Sequence, residues 1–174
     1  MTHTPTTNAS NSSHAGQAFV ALWGEMGTHW GVPRTMAQVN ALLFMEGRPL
    51  NTDEIMERLS ISRGNASMTL RTLVEWGMIT RTHNAKDRKD YYAGEQDVWK
   101  LFATVARTRK QREVEPLVSR LQALLDAAPV GNDAQRRKIE ELLDFVKAFD
   151  ALANRFLGLG GGAVQMLARL MPAS

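Results

Sequence analysis

The residues best suited to chemistry lie in one run, SRGNASMTLRT, from Ser62 to Thr72. Placed at about 100° per residue on a helix, Ala66, Leu70 and Leu73 share one face, with Val74 at its margin. Gly64, Met68 and Arg71 fall opposite, with Asn65 and Thr72 on the flank beside them. Such an outer face suits the major groove of a duplex. Asn can bond adenine and Arg can bond guanine, each in bidentate fashion. Gly64 lets the backbone come close, and Ser62 with the free amides of the first turn can hold a phosphate. The candidate set on this helix is Ser62, Arg63, Gly64, Asn65, Ser67, Met68, Arg71 and Thr72. A second set follows in the polar turn HNAKDRK, where Lys86, Arg88 and Lys89 can meet backbone phosphates.

Charge supports this placement. Between Ser62 and Tyr92 stand six Lys or Arg and three Asp or Glu. That surplus equals the formal net charge of the whole chain, +3 over 174 residues, so the rest sums to zero. A pI near 9.5 permits an anionic partner without demanding one.

Other chemistries find little support. There is no Cys, which removes disulfides and thiolate metal sites. The four His are scattered and lack metal-ligand spacing, so no metal and no cofactor is expected. GLGGG lacks the Lys-Ser/Thr ending of a phosphate loop and follows a helix, so it reads as a hinge. No catalytic constellation is seen, and the chain is expected not to be an enzyme. Apolar runs such as ALLFM are too short to span a membrane. The opening MTHTPTTNASNSSHAG has neither a basic nor an apolar block, so it reads as a disordered tail, and the protein as cytoplasmic.

The elements that would position these residues are mostly helical. Phe19, Leu22, Trp23, Met26 and Trp30 recur at helical spacing from about Gly16. Pro33 can start a second helix, which runs to about Met45. Asn51 with Glu54 forms a capping-box pattern ahead of Ile55, Met56 and Leu59. Ser62 caps the next helix, and Gly77 suits its left-handed end. Ser60-Ile61-Ser62 is therefore the turn of a helix-turn-helix. Met78–Thr82 and Asp90–Ala93 read as the strands of a hairpin, with one of Tyr91 and Tyr92 facing the core. From Asp97 the chain returns to helix, with Pro116 marking a kink or a fresh start. Ile139, Leu142, Val146, Phe149, Ala153 and Phe156 then recur at alternating steps of three and four, a heptad-like seam. A short amphipathic piece with Val164 and Leu167 closes the chain.

The fold class expected is mainly α with a small β-hairpin wing: a winged helix-turn-helix plus a helical dimerisation arm. Its parts are a tail over 1–15, a helix over 16–32 joining the dimerisation region, a DNA-binding domain over 33–94, and a dimerisation region over 95–174.

The block Glu54–Lys100 resembles the GbsR branch of the MarR-type regulators, through SRGNASM, L-x-x-L-x-x-WG, RKDYY and D-x-WK. The resemblance implies a homodimeric, sequence-specific regulator whose terminal helices form the dimer interface. Some members of that branch respond to choline-like molecules, and a small-molecule effector is accordingly considered.

Leu142, Val146, Phe149, Ala153 and Phe156 are the candidate dimerisation residues, because winged-helix regulators pair on two-fold, pseudo-palindromic operators of double-stranded DNA. The same seam could instead belong to an internal core. Trp23, Trp30 and Trp99 could cage a quaternary ammonium ligand, although core packing is the favoured role for large aromatics. The expected function is a transcriptional regulator, with repression the favoured sign. The rival is a winged-helix protein–protein adaptor that does not read DNA.

Overall fold

Helix caps set the boundaries of the helix-turn-helix in the computed structural model, which describes residues 7–127, 133–160 and 162. The Asn51 side chain accepts the Glu54 amide at 3.0 Å, and the Glu54 carboxylate accepts the Asn51 amide at 2.8 Å. This reciprocal pair opens α3 (Thr52–Leu59) as the capping-box pattern requires. Ser60 takes a left-handed φ of 52°, and the chain turns into α4 (Arg63–Glu75), whose N-cap Ser62 accepts the Asn65 amide. Gly77, at φ 67°, ends α4. The Gly77 and Met78 amides donate to the Val74 and Leu73 carbonyls, a doubly bonded terminus that needs the left-handed glycine.

Two helices precede this pair. α1 (Thr7–His29) begins ahead of the expected Gly16, and the tail reading of residues 1–15 falls partly outside the described residues. α2 (Arg34–Glu46) has Pro33 at its N-cap, one position before the expected one. α1, assigned from the sequence to the dimerisation region, packs along α2. The two helices approach closely at Gly24 and Gly27, where an added Cβ would lie 2.6 Å from the Gln38 side chain and 2.5 Å from Ala37 Cβ.

The wing is a three-stranded antiparallel sheet of order β1-β3-β2, not the bare hairpin expected. β2 (Ile79–Asn84) and β3 (Lys89–Gly94) form the hairpin. β1 (Leu50–Asn51) joins it by pairing Leu50 with Tyr92 and Asn51 with Tyr91. Leu50 is fully buried and Tyr92 nearly so, which settles the alternative left open above: Tyr92 faces the core. The core of this unit, residues 1–96, is built on Val39, Leu43, Leu50, Ile55, Ala66, Leu70 and Leu73, all but inaccessible. Ala66, Leu70 and Leu73 are the face the sequence assigned to packing. The winged helix-turn-helix is thus the fold observed.

The second unit, residues 97–174, is helical throughout its described part. α5 (Val98–Arg109), with its Asp97 cap, runs through a π-helical turn (Lys110–Val114) into α6 (Glu115–Asp126). Pro116, expected to mark a kink or a fresh start, stands in the first turn of α6 directly after the π-helical turn, where it has no N–H to offer the preceding turn of this continuous helix. α6 packs on α7 (Asp133–Gly158) through Leu121, Leu125 and Leu143, with Val118 and Ile139 at the margin. Lys110 Nζ bonds Glu115 Oε1 at 2.7 Å and lies 3.3 Å from Asp150 Oδ1, an ion pair without hydrogen-bond alignment. The closing piece with Val164 and Leu167 lies outside the described residues.

Candidate nucleic-acid interface

The helix-turn-helix presents α4 with its packing face inward. Along the opposite face Gly64, Ser67, Met68 and Arg71 are exposed, at spacings that keep them on adjoining rows of one helix. Nothing lies within 4 Å of where a Gly64 Cβ would stand, so the backbone there is bare. The Arg71 side chain has no hydrogen-bond or ion-pair partner among the described residues.

Asn65 and Thr72 behave differently. Asn65 is half-buried: its Nδ2 donates to Thr35 Oγ1 of α2 at 3.4 Å, and its Oδ1 accepts from Thr69 Oγ1 at 3.3 Å. The amide that could read adenine therefore braces α4 against α2. The Thr72 hydroxyl donates to the Met68 carbonyl at 3.1 Å, back along its own helix.

Arg63 is exposed but tethered. Its Nη2 lies 2.7 Å from Asp53 Oδ1, while Lys89 Nζ lies 3.0 Å from Asp53 Oδ2. One carboxylate in the first turn of α3 thus links the start of the recognition helix to the root of the wing. The hydrogen bond from Lys89, then that from Arg63, holds the Asp53 carboxyl below the usual range, and the same bond raises Lys89. All three groups are solvated, so the pairs fix geometry more than they add stability. Lys89 was expected to be free and is not. Asp53 and Thr35 escape sequence reasoning because their partners stand far along the chain. An acidic residue in a first helical turn is unremarkable where it helps the helix dipole.

The wing tip is shaped by its own side chains. Arg88 adopts φ 55° in the turn. Asn84 Oδ1 accepts the Lys86 amide, and Asp87 Oδ1 accepts the Lys89 amide. Tyr91 Oη donates to Asp87 Oδ2 at 2.6 Å, the main reason the Asp87 carboxyl sits low. Asp90 bonds His83 at 2.9 Å and Arg81 at 2.8 Å across the hairpin, and the His83 bond contributes most to lowering its carboxyl. Lys86 and Arg88 are left exposed, with side chains unpartnered among the described residues.

The aromatic residues divide between the units. Trp23 stacks on Phe19 at 5.6 Å and meets Trp30 edge-on at 6.5 Å, while Trp99 belongs to the second unit. Trp23 and Trp30 are thus brought together by packing on each other, with Phe19 against Trp23.

In α7 the seam splits. Val146 is buried, Ala153 is half-buried, and Leu142, Phe149 and Phe156 are exposed. Leu143, one position off the seam, supplies the contact with α6. Phe145 and Leu152, absent from the sequence set, are also exposed. Phe102, Phe149 and Phe156 line an open trough of about 410 Å³.

Residues 30–90 match the sequence profile of the MarR family. Two relatives from Bacillus subtilis (strain 168) are similar over part of their length. A putative HTH-type transcriptional regulator, YvaV, is 26% identical over 76 residues, 44% of this chain and 43% of the relative. The HTH-type transcriptional repressor OpcR is 24% identical over 92 residues, 53% of this chain and 50% of the relative. The chain matches about half the length of either. A solved structure described as that of a transcriptional regulator superposes with a TM-score of 0.66, at 22% identity, over 83% of this chain and 96% of that one. At that identity the superposition establishes the fold. The matched residues 30–90 fall on the helix-turn-helix and most of its wing.

Proposed function

We propose that this chain is a DNA-binding transcriptional regulator of the MarR type, acting as a homodimer on a two-fold operator. One observation carries the reading: α4 exposes Gly64, Ser67, Met68 and Arg71 along one face, beside a wing whose Lys86 and Arg88 have no partner among the described residues. A duplex offers base edges to the first set and phosphates to the second. The repressor OpcR among its relatives supports repression as the sign, by occlusion of a promoter. The motifs RKDYY and D-x-WK support a place near the GbsR branch. Pairing through the open α7 seam, around Leu142, Phe149 and Phe156, supplies the two-fold axis. A small molecule that alters the separation of the two recognition helices would tune binding. The work of such a regulator places it in the cytoplasm.

A mobility-shift assay on the promoter of its own gene, repeated across a salt series, tests this. The expected result is a shift that weakens steeply with salt. Absence of a shift on any duplex at low salt would favour the adaptor reading.

A further inference from the structure

On the proposed DNA face the polar groups are largely spoken for. Asn65 is bonded to Thr35 and Thr69, Thr72 to its own helix, and Arg63 to Asp53. What remains open around the helix midpoint is Ser67, Arg71 and one large apolar side chain, Met68. At 70% exposure Met68 is the most accessible large hydrophobic among the described residues. A lone exposed apolar residue is ordinary on a protein surface. This one stands at the centre of the face, one turn after Gly64 and three residues before Arg71. Nothing lies within 4 Å of where a Gly64 Cβ would stand, so bare backbone flanks Met68 on its N-terminal side.

A duplex offers one apolar group in its major groove, the C5-methyl of thymine. A thioether side chain is flexible and polarizable enough to meet it without fixed geometry. We infer that Met68 reads a thymine methyl, and that each operator half-site carries that thymine within a base pair or two of the guanine bonded by Arg71. The spacing agrees: three residues of helix rise about 4.5 Å, against about 3.4 Å per base step. This inference rests on the DNA-binding reading above.

The test uses the full chain and a duplex enriched by it from a random pool. Each thymine is replaced in turn by deoxyuridine, which removes only the methyl, and affinity is read by fluorescence anisotropy. Burial of one methyl is worth about fourfold in affinity. At one thymine per half-site the wild-type protein should weaken by about that factor, and by about fifteenfold when both half-sites are changed. Met68→Ala should bind the parent duplex more weakly, melt at the wild-type temperature, and be indifferent to that deoxyuridine. Selective wild-type binding that tolerates every replacement would overturn the inference and leave the DNA-binding reading intact. Equal sensitivity of wild type and Met68→Ala would also overturn it. Binding to no duplex would sink both.

Discussion

Removing Arg88 from the wing should change how binding depends on salt more than how the protein folds. Arg88 is exposed, lies in a turn and has no partner among the described residues, so Arg88→Ala deletes a charge without disturbing a contact. Each phosphate contact contributes about 0.9 to the slope of log affinity against log salt. A dimer loses two contacts, so the slope should fall by about 1.8. Between about 50 mM and about 200 mM salt the deficit relative to wild type should therefore shrink by roughly tenfold. Lys86→Ala should behave alike. Lys89→Ala should not, because Lys89 Nζ already lies 3.0 Å from Asp53 and its loss frees that carboxylate to act on Arg63 alone. The assay is fluorescence anisotropy on specific and random duplexes across a salt series, with thermal melting as the folding control. Loss should be similar on both duplexes. An unchanged slope for Arg88→Ala, or a Lys89→Ala effect as large as that of Arg88→Ala, would refute this account of the wing.

Tyr92→Ala empties a buried site beside Leu50, and at about 3–5 kcal/mol it should lower the melting temperature by more than about 10 °C. Tyr91→Phe removes only the exposed bond to Asp87 and should shift melting little. Arg71→Ala should cost about 1–3 kcal/mol on the selected site and far less on random DNA. Asn65→Ala should lower the melting temperature and weaken both duplexes alike, because its amide holds Thr35 and Thr69; a loss confined to the selected site would mean that it reads a base. Phe149→Glu, on the exposed seam, should give a folded monomer by light scattering, whereas Leu143→Glu, at 4% exposure, should unfold the second unit. An intact Phe149→Glu dimer would move the interface elsewhere.

What was legible in the sequence was local. Asn51 with Glu54, Ser62 and Gly77 act within a few residues of themselves, and each does what its type dictates. The packing face of α4 followed from helical period, and so did the exposure of Met68 and Arg71. What was not legible depends on partners far along the chain. β1 is two residues long, too short to show alternation, and without it the two tyrosines were equivalent. The Asn65–Thr35 bond spans thirty positions, and the Asp53–Lys89 pair more. In α7 the alternating three-four rhythm fits Leu142 and overlooks Leu143, because a stripe facing α6 and a stripe facing outward run side by side on one helix. The π-helical turn is marked only by Pro116 just beyond it, which reads as a kink or a fresh start without saying which form it takes: KQREV itself would suit an α-helix equally well.

Methylation protection of guanine N7 addresses the central claim most directly, because N7 lies in the major groove, where α4 is proposed to sit. Dimethyl sulfate treatment of the enriched duplex should show guanines protected in two half-sites about one helical turn apart, and Arg71→Ala should lose one protected guanine in each while the wing contacts to backbone persist. Tight, selective binding that leaves every guanine N7 open to methylation would contradict the placement of this helix in the major groove.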